Sequence, residues 1–168
     1  MTKPNIYLGA GLFTQGEREF NASIVKQIRD RNLGNVYSPA ENMAINEKAG
    51  YADGRQIYLA DNEYLLDSDI LIAVLDGDVI DAGLACEIGW FSHLNETTER
   101  PRLIVGLLTD IRQLNVTDKK VGALNHLGES PWLYVNTYVT GAIKSNGILV
   151  GHVDNLLAVI EDWTKENL

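Results

Sequence analysis

The stretch Asp69-Ile70-Leu-Ile-Ala-Val-Leu75-Asp76 decides the fold. Its apolar run, closed by an acid at each end, is far shorter than the roughly 18 residues a membrane span needs. Unbroken Ile, Leu and Val content over so short a segment marks a strand covered on both faces, as in a parallel sheet. Upstream, Asn5-Ile6-Tyr7-Leu8 reads as a second buried strand that runs into the turn Gly9-Ala10-Gly11. Thr14-Gln15-Gly16-Glu17 then fits a capping box, with Phe20, Ile24, Val25 and Ile28 at helical spacing as far as Arg31 and Gly34 as the stop. Asn35-Val36-Tyr37 is the next strand, and Asp53-Gly54-Arg55-Gln56 opens a helix that runs to about Leu66. The intervening Ser38–Ala52 has no periodicity, and loops of that length in compact domains are commonly functional. Downstream, the pattern predicts a helix over Ala82–Leu94, a strand over Leu103–Leu108, a fifth strand at Trp132–Val135 and a closing amphipathic helix over Asp154–Glu166.

Strands alternating with helices predict a single α/β domain over residues 1–168: a doubly wound, flavodoxin-like or Rossmann-like parallel sheet of about five strands flanked by helices. Its ligand should sit at the carboxyl ends of the strands. With 45% hydrophobic and 22% charged residues the composition is that of an ordinary globular protein. The 14 Lys and Arg against 23 Asp and Glu leave a charge of −9, which would repel a phosphate backbone and argues against polymeric nucleic acid as a partner. A single cysteine, Cys86, excludes an intramolecular disulfide, and core packing is its expected role. The opening residues lack the basic-then-apolar layout of a signal peptide, so a cytoplasmic protein with no membrane association is expected.

Gly9-Ala10-Gly11 after a strand invites a dinucleotide reading, but the third glycine of that fingerprint would fall on Thr14. A phosphate-binding P-loop fails as well, because Glu17-Arg18 stands where Lys-Ser/Thr is required. What remains is a glycine turn, either structural or bringing backbone close to a ligand. The segment Asp81-Ala-Gly83-Leu-Ala-Cys-Glu87-Ile-Gly-Trp-Phe91 carries more information. Glu87 is the only charge between Ala82 and Phe91, and burying an ionised carboxylate costs several kcal/mol unless it is paired. Glu87 is therefore either a residue of an exposed stripe or a functional acid, while Asp81 is placed to cap its helix. Of the acids ahead of the central strand, Asp61, Asp67 and Asp69, most are expected to be solvated surface. His93, His126 and His152 lack metal-ligand spacing, so no metal site is expected.

Taken together these residues resemble the nucleoside 2-deoxyribosyltransferases. The resemblance is carried by Tyr7-Leu-Gly-Ala-Gly-Leu-Phe-Thr14, Asp61, the Asp81-x-Gly-x-x-x-Glu87-x-Gly motif and Tyr134-Val-Asn-Thr-Tyr-Val-Thr-Gly141, and it extends from about Ile6 to Gly147. It implies that Glu87 is the nucleophile, that Asp61 contacts the leaving base, that Asp81 orients the sugar and that Tyr7 positions Glu87. Substrate contacts are implied for Gly9, Gly11, Phe13 and Gly83, and for Asn42 and Met43, which stand around the position of a family glutamine. Asn136 would complete the site of a neighbouring subunit in a dimer-based homo-oligomer, up to a hexamer. The implied activity is transfer of 2-deoxyribose between nucleobases through a covalent deoxyribosyl-glutamate, with deoxyribonucleosides and free bases as small-molecule partners. The alternatives are a deoxynucleoside 5′-monophosphate N-glycosidase of the same superfamily and a non-catalytic nucleotide-sensing module.

Overall fold

A computed structural model of the chain describes residues 2–42, 53–112, 117–118, 122 and 135–168. In chain order its elements are β1 (Asn5–Gly9), α1 (Gln15–Asp30), β2 (Asn35–Tyr37), a short 3-10 turn (Pro39–Glu41), α2 (Gly54–Asp67), β3 (Ile70–Val74) and α3 (Ala82–Thr97). They are followed by β4 (Leu103–Leu107), α4 (Thr137–Asn146), β5 (Gly147–Val150) and α5 (Val153–Asn167). The strands form one parallel sheet in the order β2-β1-β3-β4-β5. Both expected capping boxes are present. Thr14 and Glu17 exchange hydrogen bonds at the start of α1, and Asp53 and Gln56 do so at the start of α2.

The alternation of side chains along each strand splits the core in two. Ile6, Leu8, Ile72 and Val105 face α1 and α5, whereas Tyr7, Leu71, Ala73 and Ile104 face α2, α3 and α4. All of β3 is buried, which accounts for its unbroken apolar sequence. The sheet order explains the unequal layers. From β1 the chain steps to β2 on one side, and from β2 it passes back over β1 to β3, so right-handed crossovers place α1 on one face and the next three helices on the other. This reversal makes a switch point outside the carboxyl ends of β1 and β3, where doubly wound sheets bind their ligands. The fold is thus an open doubly wound α/β sandwich, as the strand-helix alternation predicts.

The structure corrects several local expectations. The fifth strand is Gly147–Val150, not Trp132–Val135; Val135 lies in a bend ahead of α4, and residues 132–134 fall outside the described residues. The left-handed turn that ends α1 is made by Asn32 (φ 56°), while Gly34 leaves room for Ile6, whose Cδ1 would lie 2.5 Å from an added Cβ. Cys86 is exposed on α3 and takes no part in the core. Asp69 is buried and is not surface: it accepts from the Asn5 amide at 2.8 Å and from Arg100 Nη2 at 2.6 Å. Among the described residues no helix is long and apolar enough to cross a membrane.

Candidate active site

Two helical stripes bring acids onto the sheet. On α3, Leu84, Ile88 and Phe91 are buried, and Glu87 lies three residues after the first and four before the last, on the same face. On α2, Leu65 is the one buried residue, and Asp61 precedes it by one helical turn. Both acids therefore point at the inner face of β1 and β2. There the fully buried Tyr7 donates its hydroxyl to Glu87 Oε1 at 2.7 Å. Asp81 caps α3 by accepting from the Leu84 amide at 2.9 Å, which holds a third carboxylate close enough to act on Glu87. Gly9, at the carboxyl end of β1, allows the close approach. A Cβ there would lie 2.7 Å from Leu84 Cδ1 and 2.8 Å from Glu87 Oε2.

Burial is the main cause that lifts the Glu87 carboxyl from 4.5 to about 7; the Tyr7 hydrogen bond pulls it down, and the charges of Asp61 and Asp81 push it up. Burial likewise raises Asp61, against a hydrogen bond from Tyr37. The Tyr7 phenol is driven far above its ordinary range, first by burial and then by the Glu87 and Asp61 charges, so it remains a proton donor. A carboxyl that titrates near neutrality is balanced between nucleophile or base and acid. One such group beside two further acids can attack an electrophilic carbon while a neighbour manages a leaving group.

Against this geometry, a model of the family "Nucleoside 2-deoxyribosyltransferase" matches residues 6–155. The chain belongs to that family. It is also similar to a conserved protein from Enterococcus faecalis V583 of known crystal structure, at 42% identity and a TM-score of 0.84, over 97% of this chain and 99% of that one. No curated protein sequence matches the chain.

The residues matched to nucleoside 2-deoxyribosyltransferase motifs do not all converge. Tyr7, Gly9, Asp61, Asp81 and Glu87 come together, and Gly83 sits in the first turn of α3, where a Cβ would meet Asp81 Oδ1 at 3.1 Å. Gly11 packs against Glu17, whose Oε1 would lie 2.4 Å from an added Cβ, and Phe13 is 78% exposed between β1 and α1. Asn42 binds a tyrosine hydroxyl, that of Tyr37, with Nδ2 donating at 3.0 Å. Met43 lies outside the described residues. Asn136 caps α4, its Oδ1 accepting from the Tyr138 amide at 2.9 Å, and it is exposed.

Sequence reasoning missed Tyr37 and Tyr64. Tyr37 pairs in register with Tyr7, and its ring stacks on that of Tyr64 with centroids 3.5 Å apart and planes 8° from parallel. The available signal was a tyrosine at the carboxyl end of the second strand, where the fold places its ligand.

Glu17 also bears on ligand chemistry. Its Oε2 accepts from the amides of Phe13 (3.1 Å) and Thr14 (2.8 Å) and from the Thr14 hydroxyl (2.9 Å). These bonds hold its carboxyl below the usual range, the Thr14 amide contributing most. Glu17 and Asp76 both line a crevice of about 240 Å³ beside the first turn, with no Lys or Arg among its lining residues.

Proposed function

We propose that the protein transfers 2-deoxyribose between nucleobases by double displacement. The observation that supports this most is the half-buried Glu87, raised to about 7 and held by the Tyr7 hydroxyl 2.7 Å away. With Oε1 occupied by Tyr7, Glu87 attacks C1′ of a 2′-deoxyribonucleoside through Oε2. The C1′–N bond breaks, its electron pair passes to the base, and Asp61 gives the departing base a proton. A second base then attacks C1′ of the glutamyl ester, releases Glu87 and returns a proton to Asp61. Each step inverts C1′, so the β configuration is kept. Asp81 orients the sugar, Gly9 leaves room for Glu87 to approach it, and Phe13, Gly11, Gly83 and Asn42 border the substrate. The reaction needs no metal or organic cofactor.

The same reading makes the enzyme a homo-oligomer in which Asn136 completes the site of the neighbouring subunit. The apolar surface of α2 supports this, since Ile57, Tyr58, Leu59 and Leu66 are exposed, as is Tyr138 beside Asn136. Mixing inactive Glu87→Ala with inactive Asn136→Ala should restore activity to about one quarter of wild type, because one site of each mixed dimer is intact. A fully active monomer would contradict the shared site.

Incubation with deoxyinosine and adenine, followed by chromatography, tests the reaction. Deoxyadenosine and hypoxanthine should form together, and a 2′-fluoro-arabino nucleoside should leave a covalent adduct on Glu87. Free deoxyribose without new nucleoside would indicate a hydrolase, and no turnover would indicate a binding module. An adduct on Asp61 or Asp81 would reverse the roles.

A further inference from the structure

Tyr7 and Tyr37 face each other across β1 and β2, and each carries its hydroxyl to a different acid. Tyr37 O–H donates to Asp61 Oδ1 at 3.4 Å, and Asn42 Nδ2 donates to the Tyr37 oxygen at 3.0 Å. The direction of this chain follows from the groups. A carboxamide nitrogen can only donate, and a hydroxyl has one proton, so with its oxygen taken by Asn42 the Tyr37 proton is aimed at the carboxylate. The ring is held in place from two sides. Tyr64, one turn beyond Asp61 on α2, stacks on it, and the Tyr7 ring packs against its other neighbour position at 5.5 Å and 43°. Helix α2 thus docks on Tyr37 by a ring and a carboxylate together.

We infer that Tyr37 is a positioning residue for Asp61: the Asn42–Tyr37 chain fixes one carboxyl oxygen of Asp61 and leaves the other for the base. This rests on the transfer reaction proposed above. Asp61 must give a proton in the first half-reaction and accept one in the second, so its affinity for that proton has to be held between extremes. The groups that face it are Tyr37 from β2, Tyr7 from β1 and Glu87 from α3, with Tyr64 beside Tyr37 on its own helix. Burial favours protonated Asp61; the Tyr37 hydroxyl, itself pushed up to about 12 mainly by burial, opposes it. Both tyrosines remain protonated over the working range, so each acts as a fixed donor and not as a second titrating acid.

The test is carboxyl NMR of protein labelled at Asp Cγ, with Asp61→Asn assigning the signal, combined with pH–rate profiles. Tyr37→Phe keeps the ring stack and removes the donor, so the Asp61 midpoint should move to higher pH. Asn42→Ala, which frees the hydroxyl to turn away, should move it in the same direction by less. If wild type transfers deoxyribose, Tyr37→Phe should lower kcat by about fivefold with KM little changed, the cost of one hydrogen bond to an acid, and shift the alkaline limb upward. An unchanged Asp61 midpoint in folded Tyr37→Phe overturns the inference; if that variant does not fold, an unchanged midpoint in Asn42→Ala does so. Wild-type protein that transfers no deoxyribose but shows both midpoint shifts would refute the proposed reaction and leave the positioning role standing.

Discussion

Replacing Glu87 with glutamine should make the protein more stable, by an amount that grows between pH 4.5 and 7 and is nearly complete from neutral pH upward. In the fold the carboxyl titrates near 7 in place of 4.5, chiefly because it is buried. At about 1.4 kcal/mol per pH unit, holding Glu87 ionised therefore costs on the order of 3 kcal/mol. The sign follows from the direction of the shift. A group whose proton is bound more tightly in the folded state adds stability that is complete below pH 4.5, falls as pH rises through 7 and is gone above it. Glutamine has nearly the same shape, still accepts from the Tyr7 hydroxyl and never ionises. Thermal unfolding at pH 5 should place variant and wild type within about 1 kcal/mol of each other. At pH 8.5 the variant should lead by about 3 kcal/mol, which for a domain of this size is roughly 6 to 12 °C in Tm. A variant equally stabilised at both pH values, or destabilised at pH 8.5, would refute the claim that burial disfavours the Glu87 carboxylate.

Two further outcomes concern activity. Tyr7→Phe removes a hydrogen bond to a charged group, worth about 1.5 to 3 kcal/mol, so the acid limb of the kcat profile should move up by roughly 1 to 2 pH units and much of the lost activity should return by pH 9; an unmoved limb would mean that Tyr7 does not hold the ionised nucleophile. Deoxyadenosine should outperform its 5′-monophosphate by at least about tenfold in kcat/KM, or about 1.4 kcal/mol, because Glu17 already occupies the first-turn amides and Asp76 adds a second negative charge; Glu17→Gln should narrow that ratio, and a wild-type preference for the monophosphate would favour the hydrolase reading.

What the sequence reveals of this molecule is the part governed by local rules. The capping boxes at Thr14 and Asp53 are set within four residues, and β3 announces itself because both of its faces are covered. The missed elements depend on partners distant in the chain. Helix α4 contains Val139, Thr140 and Gly141, poor helix formers whose conformation is supported by packing and by the hydrogen bond from Asn146 to Ser92 at 2.6 Å. Strand β5 follows it without a turn and is defined by pairing with β4. Tyr37 could be recognised as part of the site only once the register set it beside Tyr7.

The acids show where a local rule needs the structure to complete it. An isolated carboxylate in an apolar stretch is a conflict that natural sequences tolerate chiefly at functional sites, and on that ground Glu87 stands out in the sequence, where an exposed stripe was the alternative; the structure places it half-buried against Tyr7. Asp69 presents the same conflict at the edge of β3 and has a different resolution. It is buried against the Arg100 guanidinium and the Asn5 amide, which supply countercharge and hydrogen bonds, and it ties β1, β3 and the approach to β4 together. No salt bridge among the described residues reaches Glu87, Asp61 or Asp81; Glu87 and Asp61 instead receive neutral tyrosine hydroxyls, which orient a carboxylate without cancelling its charge. A cation beside Glu87 would lower its carboxyl and make it a weaker nucleophile and base, whereas a phenol holds its geometry and leaves its proton affinity high. The buried Asp69 and the half-buried Glu87, two acids beside the same sheet, thus differ in the charge of the partner, which neither burial nor sequence position reveals alone.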